Sequence, residues 1–245
     1  MHYAELLKAR EELTGPGGDF EIVEAEVLGN RIRTYKNAPP SVREFWLSTA
    51  EFAERPYLVY GDERLTYAQS HEQVNAVAGW LAEQDVKAGD RVAIAMRNYP
   101  EWLLIYWACA CSGIAVVGMN AWWTPEEMAY ALTDSSPKVV FLDAERLERL
   151  SERPEIADKM KIVGIRIPDA STGVIPWSEV IDHGDTMPDI TVDPDSDCCI
   201  FYTSGTTGHP KGAQLTHRGC IANLFNMVYA AASASLATQR ATGVA

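Results

Sequence analysis

The sequence predicts an α/β fold in which a mostly parallel sheet is flanked by helices, and three observations support this class. From Tyr57 onward, short apolar runs alternate with amphipathic stretches, which is the rhythm of βαβ units. With 47% apolar residues in a chain of 245, there is enough material for a buried core. The apolar run at 197–202 leads into a loop rich in glycine and hydroxyl groups, and such sheets bind ligands beyond the carboxyl ends of their strands.

The first 55 residues follow a different pattern from the rest. Residues 20–36 predict two strands joined by a turn, and residues 42–53 predict a helix. We therefore expect 1–55 to be an N-terminal hairpin and helix that pack on the core. Residues 56–245 are expected to form the α/β subdomain.

Two capping boxes fix the starts of helices within that subdomain. Thr66 is followed three residues later by Gln69, and Thr124 by Glu127, with Pro125 at the first helical position of the second. The predicted strands are 91–96, 114–119, 138–142, 161–167 and 197–202, and further helices are predicted at 100–113, 144–159, 177–181 and 220–232.

The stretch 102–125 carries no charged residue and is long enough to cross a bilayer. Gly113 stands where a helix would end, however, and the residues after it suit a strand. The sequence therefore favours a buried helix followed by a buried parallel strand, and we expect no transmembrane segment.

Composition and charge exclude several classes of partner. The net charge of −13, from 21 basic and 34 acidic residues, argues against a surface for nucleic acid or anionic lipid. The first residues lack a secretory signal, so a cytoplasmic location is expected. The chain has five cysteines and no C-x-x-C pair, which predicts reduced thiols: Cys109, Cys111, Cys198, Cys199 and Cys220. No metal-ligating residues are predicted.

The loop after 197–202 has the composition of a phosphate-binding loop. Its glycines let the backbone amides approach an anion, its hydroxyl groups add donors, and Lys211 supplies a mobile positive charge. A Walker A loop would need Ser or Thr after the lysine and then a helix, but Lys211 stands before Gly212 and a short strand-like stretch follows. The loop and its flanks read Tyr202-Thr203-Ser204-Gly205-Thr206-Thr207-Gly208-His209-Pro210-Lys211-Gly212.

This stretch closely resembles the motif Y-T-S-G-T-T-G-x-P-K-G of the adenylate-forming superfamily, which includes acyl-CoA synthetases, luciferases and peptide-synthetase adenylation domains. The family's following L-T-H is matched by residues 215–217. Residues 120–124 resemble the N-A-W-W-T stretch of fatty-acyl-CoA ligases. The resemblance covers about 41–232 in its general rhythm.

The resemblance implies an acid–CoA ligase that activates a carboxylic acid, and the motifs are most similar to those of fatty-acyl-CoA ligases. The implied cofactors and co-substrates are ATP, Mg²⁺ and CoA. It implies that Lys211 stabilises the departing pyrophosphate during catalysis. The implied ATP contacts are Thr203, Ser204, Gly205, Thr206, Thr207, Gly208 and Lys211. Two alternatives stay open: another adenylate-forming enzyme, or a truncated phosphate- or nucleotide-binding module without catalysis.

Family members are about twice as long, and their groups for adenine, ribose and magnesium and their C-terminal catalytic lysine follow this segment. The chain therefore resembles the N-terminal portion, with the C-terminal half of the family fold absent. We expect the chain alone to be inactive and to tend to self-associate.

Two further matches have both a functional and a structural interpretation. His217 matches the histidine of L-T-H but also suits a structural role beside a strand end. Trp122 and Trp123 would either contact substrate or pack a loop onto the core.

Overall fold

The computed structural model describes residues 3–168, 173–184, 186–203 and 210–243. The strands, in chain order, are β1 (Ile22–Val27), β2 (Asn30–Tyr35), β3 (Pro56–Tyr60), β4 (Glu63–Thr66), β5 (Arg91–Ala95), β6 (Ala115–Gly118), β7 (Val139–Leu142), β8 (Lys161–Gly164), β9 (Ile175–Pro176), β10 (Asp197–Thr203) and β11 (Lys211–Thr216). The helices are α1 (Tyr3–Thr14), α2 (Val42–Ser48) with a 3-10 turn (Thr49–Phe52), α3 (Tyr67–Glu83), α4 (Pro100–Cys111), α5 (Pro125–Ser135), α6 (Ala144–Ser151), α7 (Pro154–Ala157), α8 (Trp177–Ile181) and α9 (His217–Thr242).

A seven-stranded sheet forms the centre of the fold, in the order β11-β10-β6-β5-β7-β8-β9. Every neighbouring pair is parallel except β10 and β11, which are antiparallel. The predicted α/β class with a mostly parallel sheet is confirmed. Because β6 lies on one side of β5 and β7 on the other, the strand order reverses at β5.

Each face of the sheet carries its own layer of helices. In β5, Val92 and Ile94 face a core that includes residues of α3, α4 and α8. Ala93 and Ala95 face the opposite core, which includes residues of α5, α6 and α7. This alternation follows from the two-residue period of a strand, and burial on both sides explains the continuous apolar runs of the sequence.

The uncharged stretch becomes a helix and a strand inside these layers, as predicted. Helix α4 has 12 residues, and Leu104, Ile105 and Ala108 on it are at most 1% exposed. Gly113 follows with φ of +67°, a conformation that glycine adopts without strain, and β6 then enters the core.

Helix α9, unlike the helix of the uncharged stretch, is long and apolar enough to be considered as a membrane span. By length and composition, it is the one helix among the described residues that would be able to cross a bilayer, and 17% of its most apolar window is buried. It packs along α1, with Arg240 paired to Glu12. Phe225 and Tyr229 of α9 contact Phe20, beside the β1–β2 hairpin.

Both predicted capping boxes are present. The Thr66 hydroxyl accepts from the Gln69 amide at 3.2 Å, and the Gln69 side chain accepts from the Thr66 amide at 2.9 Å. Thr124 and Glu127 repeat the arrangement at 3.3 and 2.9 Å. These reciprocal bonds satisfy amides that a helix start leaves without partners.

Two predicted helix ranges are wrong. The helix expected at 144–159 is interrupted before Pro154. A proline disfavours the helical conformation of the residue before it, and Arg153 takes φ −131° and ψ 62°, outside the helical region. The helix expected at 220–232 starts at His217, where the Thr216 hydroxyl caps it by accepting from the Gly219 amide, and it runs on to Thr242.

Candidate functional site

The β10–β11 hairpin lies at the carboxyl edge of the sheet, because β10 is parallel to β6 and its last residue is Thr203. Thr203 is paired with Lys211, the first residue of β11, and its hydroxyl donates to the Lys211 carbonyl at 3.4 Å. Both residues are exposed. Of the predicted phosphate-binding residues, Ser204, Gly205, Thr206, Thr207 and Gly208 lie outside the described residues.

Lys211 is available to an anion. Among the described residues, no carboxylate lies within ion-pair distance of its ammonium group. Hydroxyl groups alone bind Mg²⁺ weakly, so the hydroxyl of Thr203 and the ammonium of Lys211 fit phosphate oxygens better than a bare metal ion. A magnesium ion at this hairpin would therefore be held through phosphate oxygens and water.

The strand that leads to the hairpin is held in place by two aromatic residues. The Tyr202 hydroxyl donates to the Asp134 carboxylate at 2.7 Å, and burial together with this carboxylate raises the pKa of Tyr202. Phe201 lies over Gly118 of β6, where an added Cβ atom would be 2.5 Å from the ring. Glycine at 118 thus lets β10 and β6 approach with the Phe201 ring between them.

The loop between β6 and α5 is anchored by two arginines of α6. The Arg146 Nε donates to the Ala121 carbonyl at 2.9 Å, and Arg149 donates to the carbonyls of Ala121 and Trp123 at 2.9 and 2.8 Å. Arg146 is 2% exposed and is paired with Asp143 at 3.1 Å, so its buried charge is compensated. The loop is therefore a fixed part of the carboxyl edge.

The two tryptophans of this loop have different environments. Trp123 is 9% exposed and contacts the Tyr202 ring edge to face at 5.7 Å, which agrees with the packing interpretation. Trp122 is 69% exposed, and the Arg97 guanidinium lies 4.1 Å from the centre of its ring. Trp122 is thus the one of the pair that is open to a ligand.

A cleft lies between the loops that follow β5 and β6. It has a volume of about 330 Å³ and is lined by Tyr60, Arg97, Asn98, Ala121 and Trp122. A second, apolar pocket of about 270 Å³ lies next to it between β3 and α4. This pocket shares Tyr60 and Asn98 and is lined further by Leu58, Val59, Tyr99, Pro100, Trp102 and Leu103. The cleft adjoins the point where the strand order reverses, which is where open α/β sheets bind ligands.

Sequence reasoning missed this cleft. The sequence signals were Trp122, for which substrate contact was one of two interpretations, and Arg97 and Asn98 directly after a buried strand. Tyr60 comes from β3, part of a β3–β4 hairpin that the sequence did not delimit. Arg166 holds that hairpin against α4 through Glu63 at 2.7 Å and Glu101 at 3.0 Å, contacts between residues far apart in the chain.

His217 lies at the opposite edge of the sheet from Thr203 and Lys211, because Thr216 pairs with Asp197 at the start of β10. It is fully buried, and its Nδ1 accepts from the Val42 amide at 3.4 Å. Burial lowers the pKa of His217, so the imidazole is neutral near pH 7. This location supports the structural interpretation.

These features define a class: an α/β protein in which Thr203 and Lys211, which flank a glycine- and threonine-rich sequence, lie together at the carboxyl edge of a mostly parallel sheet. The comparison with known families identifies the member, because the family described as AMP-binding enzyme matches residues 45–242. The chain belongs to this family of adenylate-forming enzymes.

Relatives and solved structures agree with this assignment. The chain is 29% identical over 182 residues to 4-coumarate–CoA ligase CCL1 of Humulus lupulus, covering 73% of this chain and 33% of that protein. It is 33% identical over 196 residues to an L-proline–[L-prolyl-carrier protein] ligase of Streptomyces coelicolor, covering 76% and 36%. The N-terminal domain of FACL13 from Mycobacterium tuberculosis superposes with a TM-score of 0.60 at 28% identity, covering 72% and 44%.

An anthranilate CoA ligase, AuaEII, solved with anthranoyl-AMP, has the same fold, with a TM-score of 0.67 at 22% identity over 74% of this chain and 36% of that one. The chain spans about a third of the length of the curated relatives that it matches.

Proposed function

We propose that this chain is part of an ATP-dependent acid–CoA ligase. In the first half-reaction a carboxylate oxygen attacks the α-phosphorus of ATP, which yields acyl-adenylate and pyrophosphate. In the second, the thiol of CoA attacks the acyl carbon, and AMP leaves. The observation that carries the proposal is Lys211, which stands unpaired among the described residues at the carboxyl edge and next to Thr203 in the hairpin.

Lys211 would act on the charge that develops during adenylation. As the bond between the α-phosphorus and the bridging oxygen breaks, negative charge grows on the pyrophosphate. An ammonium group on a flexible stem follows that charge and stabilises the transition state more than the ground state. Mg²⁺ bound to the phosphates would neutralise part of the same charge.

The identity of the acid substrate remains to be determined by experiment. The sequence resemblance predicts a fatty acid, whereas several relatives are named for 4-coumarate, ferulate and 4-hydroxybutyrate. A carboxylic acid with an apolar body is common to most of them. We retain the fatty acid as the first substrate class to test and a hydroxycinnamate as its competitor.

A second acceptor is favoured by one comparison. The relative from Streptomyces coelicolor is named for transfer to a carrier protein rather than to CoA. Transfer of the acyl group to a carrier-protein thiol is therefore the alternative second half-reaction. A module that binds phosphate without catalysis is the other alternative.

We place the protein in the cytoplasm, which is consistent with its five free cysteines.

The test is ATP–pyrophosphate exchange with fatty and hydroxycinnamic acids. It is measured on this chain and, where the reading frame is longer, on the whole polypeptide. We expect exchange by the longer polypeptide and none by the chain alone. In the active form, Lys211→Ala should lower the exchange rate by about 10- to 1,000-fold, the range for one strong electrostatic donor.

Lys159→Ala is the matched control, because Lys159 is an exposed lysine near the amino end of β8, at the opposite edge of the sheet. Its exchange rate should equal that of the wild type. An unaltered rate for Lys211→Ala at saturating ATP would exclude the role given to this residue. Acyl-CoA formation after the exchange step distinguishes CoA from a carrier protein as the acceptor.

A further inference from the structure

Three cysteines form a cluster between β10 and α9, and two of them are adjacent in sequence. The sulfur atoms of Cys198, Cys199 and Cys220 all lie within 4.8 Å of one another. Cys198 and Cys199 are the second and third residues of β10, and Cys220 lies in the first turn of α9. Neighbouring residues of a regular strand point to opposite faces, so the meeting of Cys198 and Cys199 requires an irregularity.

A β-bulge at Cys198 supplies it. The pairing of β10 with β11 passes from Asp197 opposite Thr216 to Cys199 opposite Leu215, which leaves Cys198 as the extra residue. Ile200 then faces the α5 side of the sheet, while Cys199 belongs to the core on the α4 side. Cys198 packs with residues of α4 and α9 as well. The bulge thus turns two consecutive thiols toward the same helices.

The surroundings of this three-cysteine cluster are suited to a bound ion. Cys198 and Cys199 are at most 2% exposed, whereas Cys220 is partly exposed and leaves a side open to solvent. The Tyr106 hydroxyl lies 3.6 Å from the Cys198 sulfur. A metal bound by three sulfurs would therefore have a phenol, or a water on the Cys220 side, for a fourth position.

The start of α9 favours negative charge on the cluster. Cys220 lies in the first turn of this helix, where the positive end of the helix dipole stabilises a sulfur that gives up its proton to a metal ion.

We propose that Cys198, Cys199 and Cys220 form a binding site for one thiophilic d¹⁰ metal ion of the Zn²⁺ class. Binding displaces the protons of the three thiols, so that three protons leave and three metal–sulfur bonds form. With Zn–S bonds of about 2.3 Å, tetrahedral sulfurs stand roughly 3.8 Å apart, so the cluster needs to contract by only about 1 Å. The site is separate from the phosphate loop and does not rest on the proposed reaction.

The test uses the whole chain, reduced and freed of metal with a chelator, and titrated with Cd²⁺ under anaerobic conditions. Coordination by thiolates produces a charge-transfer band in the ultraviolet. We expect the band to saturate at one Cd²⁺ per chain and to disappear when Zn²⁺ competes. Co²⁺ should give the intense visible spectrum of a tetrahedral site with sulfur ligands.

Cys220→Ser is the first variant, because its position is partly exposed and tolerates a hydroxyl group best. It should weaken the apparent Cd²⁺ affinity by at least about tenfold, since even second-sphere changes at metal sites commonly cost 10- to 100-fold. Cys198→Ala should do the same, with folding checked by circular dichroism. Cys109→Ala and Cys111→Ala, which remove buried thiols outside the three-cysteine cluster, should retain wild-type binding.

Three outcomes would overturn the proposal. One is the absence of a charge-transfer band in the folded, reduced chain. The second is an equal affinity in the wild type and in both cluster variants. The third is a disulfide between two of the three cysteines in chain purified under reducing conditions, which would make the cluster a redox pair instead of a metal site.

Discussion

His217 is the residue whose location departs furthest from what its sequence motif suggests. It is buried at the amino edge of the sheet, and its Nε2 is buried without a hydrogen-bond partner among the described residues. Burial lowers the pKa of His217, although Cys220, Glu44 and Asp193 act in the opposite direction. The folded chain therefore holds the imidazole in its neutral form.

This location predicts a pH dependence of stability. Below about pH 6.5 the unfolded chain binds a proton at this histidine that the folded chain excludes, so the free energy of unfolding should decrease as the pH falls. His217→Asn retains an acceptor for the Val42 amide and removes the titration. Urea unfolding at pH 7.5 and 5.5 should show a smaller loss for the variant.

His71 leaves part of the effect in place, because burial lowers its pKa as well. An identical loss of stability in the wild type and in His217→Asn would contradict the assignment of a buried neutral imidazole.

Among single residues, the positions of Thr203 and Lys211 were predicted from the sequence, and their contacts with ATP stay a prediction. Thr203 and Lys211 follow and precede strands that the sequence predicted, and they are paired at the expected edge. The three-cysteine cluster was not predicted, because a β-bulge is not visible in a sequence, and without it Cys198 and Cys199 would face opposite sides.

At the scale of elements, the contact between β6 and β10 positions the strand that leads to the phosphate loop. The ring of Phe201 fills the space beside Gly118, where a Cβ atom would lie 2.5 Å from it. Gly118→Ala should therefore destabilise the chain by about 1–3 kcal/mol, the usual cost of overpacking. Chemical denaturation measures this change.

Phe201→Ala in the same chain provides the control. The double variant should lose less stability than the sum of the two single variants, because the alanine at 118 then has room. Strict additivity of the two changes would show that the ring does not restrict position 118.

Elements with strong local signals were predicted well. The capping boxes at Thr66 and Thr124 fixed two helix starts, and the buried parallel strands appeared as apolar runs. The helix expected at 144–159 failed because the effect of Pro154 on the preceding residue was overlooked. The walls of the cleft were not predictable, because they depend on contacts such as that between Glu63 and Arg166.

For the whole molecule, the exposed apolar face of helix α9 is the surface that would bind either a second copy of the chain or a membrane. Met227 and Val228 on this helix are 66% and 51% exposed. We expect the chain to self-associate through this face, since exposed apolar patches promote association. Met227→Glu with Val228→Glu should shift the sedimentation profile toward the monomer.

Leu28→Glu is the matched control, because Leu28 is 77% exposed at the β1–β2 turn, and this change should leave association unaffected. Binding of the wild type to lipid vesicles, lost in the α9 double variant, would contradict the expectation that the chain has no membrane segment.

The proposed function requires the β10–β11 hairpin to bind the phosphates of ATP. The most direct measurement is an amide map by NMR of the isotope-labelled chain during titration with magnesium tripolyphosphate, which carries the phosphates without adenine. We expect the shifts to concentrate at 203–212, to spare the hairpin at 22–35, and to weaken in Lys211→Ala but not in Lys159→Ala. Shifts centred on Arg97 and Trp122 instead, or no shifts within 203–212 at saturating tripolyphosphate, would contradict it.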